Sequence, residues 1–232
     1  APPTVIGAVV TPENPSALYV LAAGPTRSTD PAALRLYRLY KSVDRGTTWA
    51  VLETAGLQFQ RPEYFTVDYA RPNSFYIASP PGILRAALGQ VWQQVNTQQV
   101  YARAVQVDPG NPAHLYAATL GGPVVQQSWD GGRTWRPFGL YGNAGSNLLL
   151  TPDGNTLYAI NSNAGSGGAD LYQGTPEGTW SRLSTPIPYF HGLAYDPPAG
   201  ALYVSTTYGS GARTGAIYRL KDGAWHLLKD FG

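Results

Sequence analysis

Thr134-Trp135-Arg136-Pro137-Phe138 is one of five copies of a short element in which a tryptophan follows a glycine-containing turn and begins a β-strand. Five of the six tryptophans of the chain stand in these copies, at positions 49, 92, 135, 180 and 225. The intervals between them are therefore 43, 43, 45 and 45 residues. A near-constant period of this length indicates a repeat architecture in which each copy folds as one unit.

A second marker, a large apolar residue followed by tyrosine, moves in step with the tryptophans. It opens a strand of small and β-branched residues, and a turn of Pro, Asp, Asn and Gly stands just before it. A third strand separates the tyrosine strand from the tryptophan strand, and an apolar strand precedes the turn, so each repeat contains four strands. The five markers are Leu18-Tyr19, Phe75-Tyr76, Leu115-Tyr116, Leu157-Tyr158 and Leu202-Tyr203.

Four strands in a repeat of this length match one blade of a β-propeller. We therefore predict an all-β fold, a five-bladed β-propeller of four-stranded antiparallel blades, forming a single domain over residues 1–232. The first strand of each blade is apolar without alternation, as expected where neighbouring blades cover both of its faces. No blade is shared between the termini, so closure would rest on packing, and a fragment of a longer array is the alternative. The predicted blades span approximately residues 4–53, 60–96, 101–139, 145–184 and 189–230.

Two turns of the chain carry the same eight-residue pattern, Ser-x-Asp-x-Gly-x-Thr-Trp. They are Ser42–Trp49 and Ser128–Trp135, and both are in phase with the tryptophan period. The pattern resembles the Asp-box, or bacterial neuraminidase repeat, which in related propellers is a β-hairpin between the third and fourth strands of a blade. We expect Asp44 and Asp130 to be structural, because an aspartate here can accept hydrogen bonds from the amides of its own turn.

The repeats also resemble the propellers of sialidases, sortilin-type proteins, xyloglucan-degrading glycosidases and photosystem II assembly proteins. The sialidase resemblance implies six blades, an arginine triad, a Tyr–Glu nucleophile pair and an Asp acid or base. This sequence departs from that pattern in its five blades and in the missing Arg-Ile-Pro signature, for which Arg61-Pro62-Glu63 is the nearest echo. A glycosidase needs two carboxyl groups across one cleft, and only Glu63 stands where a first strand begins. We therefore assign no catalytic residues.

Composition excludes several classes of partner and cofactor. The net charge is only +2 and Lys and Arg are scattered, so the chain lacks the basic stripe that nucleic acids require. Cysteine is absent and the three histidines stand at unrelated strand positions, so we expect no metal site. Phosphate-binding and nucleophile-elbow motifs are also missing, and we expect no cofactor. No apolar stretch is long enough to span a bilayer.

The sequence begins Ala1-Pro2-Pro3 and contains no methionine. We interpret this as the removal of an N-terminal leader and expect a secreted or cell-envelope-exposed protein, with simple trimming of the chain as the alternative. We expect the protein to be a monomer.

The candidate binding site lies at one end of the predicted propeller. Loops that lead into the first strands share this end with loops joining the second and third strands, around the mouth of the central channel. Tyrosine and arginine, which are favoured at binding sites, are frequent in them. The predicted ligand-binding residues are Arg61, Glu63, Tyr64, Tyr101, Arg103, Tyr189, His191, Tyr208 and Arg213.

These observations favour a non-catalytic binding module that recognises a glycan or a protein segment at the channel mouth. The missing carboxylate pair argues against catalysis, and the Tyr- and Arg-rich rim argues for recognition. Two alternatives remain open at this point: a carbohydrate-active hydrolase of the sialidase-like type, and a structural or assembly scaffold.

Overall fold

The chain is a five-bladed β-propeller in which each blade is a four-stranded antiparallel sheet, as the tryptophan period predicts. The computed structural model describes residues 4–11, 14–23, 35–52, 58–59, 62–68, 71, 73–79, 82–88, 90–162, 168–186, 189–207 and 215–232. Those residues contain strands and turns and no helix, so none of them forms a helix that could cross a membrane.

Within each blade the strands pair in chain order. Blade one consists of β1 Thr4–Thr11, β2 Asn14–Ala23, β3 Arg35–Ser42 and β4 Ala50–Leu52, and β5 Gln58–Phe59 also pairs with β3. Blade two consists of β6 Tyr64–Val67, β7 Ser74–Ser79, β8 Gly82–Ala87 and β9 Gln93–Gln94. Blade three consists of β10 Ala102–Asp108, β11 Asn111–Thr119, β12 Val125–Ser128 and β13 Arg136–Pro137. Blade four consists of β14 Ala144–Leu150, β15 Leu157–Ser162, β16 Ala169–Gly174 and β17 Trp180–Arg182. Blade five consists of β18 Gly192–Asp196, β19 Ala201–Thr207, β20 Gly215–Lys221 and β21 Ala224–Asp230.

The chain divides into two compact units. The first comprises Ala1–Tyr116 with Ser128–Trp135, and the second comprises Ala117–Gln127 with Arg136–Gly232. Blades one and two, β10 and most of β11 thus belong to the first unit, and blades four and five to the second. The single-domain organisation stays a prediction.

An aromatic cluster joins blades one and two in the first unit. Phe75 of β7 is fully buried, with its ring centroid 5.3 Å from that of Tyr19 and 5.9 Å from that of Phe65. Leu21 and Leu39 of blade one are fully buried in the same cluster. Each buried aromatic ring removes roughly 150–250 Å² from water, so the recurring aromatic positions supply much of the packing between these sheets.

The second unit has an equivalent core between blades four and five. Tyr158 and Leu171 of blade four pack in one cluster with Phe190, Leu202 and Val204 of blade five. Burial raises the pKa of the Tyr158 hydroxyl, and the neighbouring Tyr195 and Asp153 raise it further.

Four of the five periodic tryptophans are anchored by their indole N–H groups, in two different ways. In the two blades that carry the eight-residue pattern, the indole N–H donates within its own hairpin, from Trp49 to Gly46 O at 2.9 Å and from Trp135 to Gly132 O at 2.8 Å. In blades four and five it donates to the preceding blade, from Trp180 to Phe138 O and from Trp225 to Ser184 O, both at 2.8 Å. In blades four and five, the tryptophan therefore links consecutive blades instead.

The first strands are not all buried as their apolar sequences predict. β6 is almost entirely buried because it packs between β1 on one side and β10 on the other. Val5 and Val10 of β1, however, are 60% and 44% exposed. β6 covers one face of β1, which accounts for the difference between these two strands in the first unit.

Candidate functional site

The loops that precede the first strands of blades two and three meet in the first unit. Arg103, near the start of β10, places its Nε 3.3 Å from Oε2 of Glu63, which immediately precedes β6. The backbone N–H of Glu63 donates to Ala78 O at 2.9 Å, which fixes the acidic partner against β7. Arg103 Nε makes no hydrogen bond to the described part of the chain, and the Arg103 side chain is 42% exposed. The carboxylate therefore orients the guanidinium without saturating it.

Two tyrosines stand close to these residues in the sequence, and a glutamine side chain donates a hydrogen bond to each tyrosine hydroxyl. Gln106 Nε2 donates to the hydroxyl of Tyr64 at 2.7 Å, and Gln99 Nε2 donates to the hydroxyl of Tyr101. Gln106 is buried, whereas Tyr101 is 44% exposed. We call Glu63, Tyr64, Tyr101 and Arg103 the rim cluster. Sequence reasoning missed both glutamines because a single amide side chain belongs to no motif.

Two further predicted binding residues, Tyr189 and His191, lie before β18 in the second unit. The His191 backbone is held on both sides, because its N–H donates to Ser205 O at 2.9 Å and its carbonyl accepts from Asn147 Nδ2 at 2.9 Å. The His191 side chain is exposed and that of Tyr189 is half-buried. Their participation in one site with the rim cluster stays a prediction.

The remaining predicted binding residues, Arg61, Tyr208 and Arg213, lie outside the described residues.

The side chains of the rim cluster are suited to contacting a ligand, but they include few groups for acid–base chemistry. A guanidinium presents donors in a planar fork that suits carboxylates and paired hydroxyl oxygens, and an exposed tyrosine adds a rigid ring with a polar tip. Glu63 points one oxygen at Arg103, and Asp170, at the corresponding end of blade four, is ion-paired with Arg182 at 2.5 Å. Within the described ranges, no group of three or more His, Asp and Glu side chains is arranged to hold a metal ion.

Each of the two hairpins with the repeated pattern contains the same arrangement of internal hydrogen bonds. In the first, Ser42 Oγ donates to Asp44 Oδ1 at 2.7 Å and accepts from Gly46 N at 2.8 Å. Asp44 also accepts from the N–H of Thr48 at 2.8 Å and from its hydroxyl at 2.6 Å. The hairpin of Asp130 repeats these four bonds with Ser128, Gly132 and Thr134 at 2.7–2.9 Å.

These bonds lower the pKa of both aspartates. For Asp44, the Thr48 hydroxyl, the Thr48 N–H and the Ser42 hydroxyl hold the pKa at about 2, against an ordinary value of 3.8. For Asp130, partial burial raises the pKa, but hydrogen bonds from Thr134, Ser128 and Arg133 outweigh it and again bring the pKa to about 2. Each carboxylate therefore stabilises its hairpin in the ionised form.

We expect acid to weaken both hairpins. Because the folded pKa values lie below the unfolded ones, this stabilisation is present above about pH 4 and is lost as the pH falls towards about 2. A double variant with Asp44→Asn and Asp130→Asn should be less stable at neutral pH, and its urea midpoint should fall less on acidification than that of the wild type. Parallel pH curves for the two proteins would contradict this assignment.

Comparisons with known proteins show the fold. No family model matches the sequence, and no curated protein matches it. Among solved structures, the chain is similar to the Niastella koreensis GH74 enzyme (19% identity, TM-score 0.69), covering 96% of this chain and 38% of that one. It is also similar to YCF48 bound to D1 peptide (18% identity, TM-score 0.58, covering 97% and 67%) and to a chain of the nidogen/laminin complex (14%, 0.59, covering 90% and 74%).

The chain spans well under half the length of the first GH74 structures that it matches, 38% of one and 31% of another. All of these identities are below one in five. The likeness therefore establishes a β-propeller that is shared by glycoside hydrolases and by proteins seen with peptide or protein partners.

Proposed function

We propose that this chain is a binding module without catalysis of its own, recognising a glycan or a protein segment through the rim cluster. The observation that carries this proposal is the partly exposed side chain of Arg103, which Glu63 orients two residues along the chain from the exposed Tyr101. Arginine and tyrosine in such positions dominate binding energies at protein surfaces. The structural likeness to a propeller bound to a peptide supports the same reading.

The proposal includes the role of the two hairpins. Ser42–Trp49 and Ser128–Trp135 are Asp boxes that stabilise blades one and three and take no part in chemistry. Support comes from the shared network, in which both oxygens of each aspartate accept hydrogen bonds from the hairpin itself. A secreted or envelope-exposed, monomeric protein fits this function.

Glycan and peptide arrays test the proposal. We expect the wild-type chain to bind at least one array ligand, and Arg103→Ala to weaken that binding by about thirtyfold, the loss typical of an arginine hot spot. Tyr101→Ala should weaken the same binding, and Tyr189→Ala reports whether the loop of blade five takes part. Because the Glu63–Arg103 pair is partly exposed, its loss should cost no more than about 1 kcal/mol of stability.

Arg136→Ala is the matched control, since Arg136 is also an exposed arginine near the start of a strand. Equal affinities of wild type and Arg103→Ala for every ligand would remove the rim cluster as the site. Release of a chromophore from aryl glycosides or sialosides that disappears in Glu63→Gln would identify a hydrolase instead. Tight association with a large partner, without any array ligand, would identify a scaffold.

A further inference from the structure

Trp129, the tryptophan outside the repeat period, is held face to face with a histidine. Its ring centroid lies 3.6 Å from that of His114, and the two ring planes are 6° apart. Trp129 is nevertheless 60% exposed. Because His114 covers one face of the indole, that exposure belongs to the opposite face and the edges of the ring.

The histidine beneath Trp129 is itself fixed. His114 is buried, its Nδ1 lies 2.9 Å from Asp108 Oδ2, and the Tyr116 ring packs at 4.4 Å between centroids. Asp108 is held in turn, since its other carboxylate oxygen accepts from Gly110 N at 2.8 Å. The indole therefore rests on a rigid support, and a ligand that stacks on it meets a preset orientation at little entropic cost.

The fold does not require this pair. Blade one has the same hairpin network with Val43 at the position of Trp129 and Ala17 at the position of His114. The residues that precede the large apolar–tyrosine pair in the other blades are also small: Ser74, Thr156 and Ala201. Blade three thus has two larger residues, Trp129 and His114, at the positions of Val43 and Ala17 in blade one. Trp129 exposes a broad aromatic surface, which folding alone disfavours.

The hairpin that carries Trp129 also lines a polar cleft. Asp130 and Arg133, from the same hairpin as Trp129, line a cleft of about 350 Å³, and Arg85, Gln93 and Gln94 of blade two line its other side. Carboxylate, guanidinium and amide groups all exchange hydrogen bonds with hydroxyls. Both signs of charge are present, which favours a neutral hydroxylated ligand over an apolar or strongly charged one.

We propose that the open face of Trp129 is a stacking platform for a pyranose ring of a neutral glycan, with the adjoining cleft binding hydroxyls of the same chain. A sugar ring suits this surface because its C–H face packs on an aromatic plane while its rim of hydroxyls needs polar partners. The platform is separate from the rim cluster. Asp108, which contacts His114, lies at the opposite end of β10 from Arg103, about 17 Å along the strand.

Titration with cellohexaose, xylohexaose, mannohexaose and chitohexaose tests the platform. In ¹⁵N-labelled protein the six tryptophans give six indole N–H resonances, and the Trp129 signal is identified by its absence in Trp129→Val. We expect one hexasaccharide to shift this resonance in the wild type. Trp129→Val, which restores the residue type that blade one has at this position, should weaken binding by about tenfold or more.

Val43→Ala is the matched control and should leave the affinity unchanged, because Val43 is equally exposed at the same hairpin position. His114→Ala should move the Trp129 resonance without ligand and weaken binding, since it removes the support and leaves the indole. Arg103→Ala should not affect binding at the platform, so its outcome is distinguishable from failure of the rim cluster. The inference is overturned if no hexasaccharide shifts the Trp129 signal, if Trp129→Val binds as wild type, or if only peptide ligands depend on Trp129.

Discussion

Replacing Gly139 with alanine should lower the free energy of unfolding by about 2–4 kcal/mol, combining the strain of a left-handed backbone with overpacking. Gly139 has φ +71°, and an added Cβ would lie 2.1 Å from Gly178 O and 3.1 Å from Trp180 Cδ1. The preceding residue, Phe138, accepts the Trp180 indole N–H at 2.8 Å and packs edge-on against that ring. The substitution therefore forces apart the contact that links blade three to blade four.

Gly121→Ala separates the two causes. Gly121 has a similar φ of +75° but nothing within 4 Å of an added Cβ, so it should cost only about 1–2 kcal/mol, from backbone strain alone. Urea denaturation followed by tryptophan fluorescence measures both variants. Equal losses at the two positions would show that the contact between Gly139 and the Gly178–Trp180 segment contributes little.

Truncation of Phe75 to alanine should destabilise the protein by about 3–5 kcal/mol, the range for a large aromatic residue in a packed core. Phe75 is fully buried between Tyr19 of blade one and Phe65 of blade two. Its removal leaves a cavity in the cluster that joins the sheets of blades one and two.

Phe231→Ala is the control for Phe75, because this ring is 61% exposed and contacts Lys229 through a cation–π distance of 6.0 Å. It should cost less than about 1 kcal/mol. Calorimetric or urea unfolding compares the two, and a loss for Phe75→Ala as small as that for Phe231→Ala would contradict the assigned packing between blades one and two.

Much of the fold could be predicted because each repeat is marked by tryptophan and tyrosine, which smaller residues cannot replace without loss of packing. A blade needs aromatic volume at fixed places, so the tryptophan and tyrosine periods gave the number of sheets and their strand order. The anchoring of the tryptophans could not be predicted in the same way. Trp180 and Trp225 reach carbonyls more than forty residues away, and such partners depend on how neighbouring sheets pack.

The candidate site was predictable only in part. Strand register placed Glu63 and Arg103 at the starts of neighbouring first strands, and the structure brings them together. The roles of Gln99 and Gln106 depend on side-chain directions that no spacing reveals. The stack of Trp129 on His114 could be suspected from the sequence in one respect. Trp129 lies outside the tryptophan period, and His114 precedes the apolar–tyrosine pair at a position where the other repeats have small residues.

Hydrogen–deuterium exchange of the Trp129→Val variant, with and without its best-binding array ligand, most directly tests whether function resides in the rim cluster. This variant lacks the aromatic platform, so only the rim cluster should respond to ligand. We predict slower amide exchange in residues 62–64 and 99–103 when the ligand is bound. Unchanged exchange in both segments, with protection elsewhere in the chain, would contradict the proposed function.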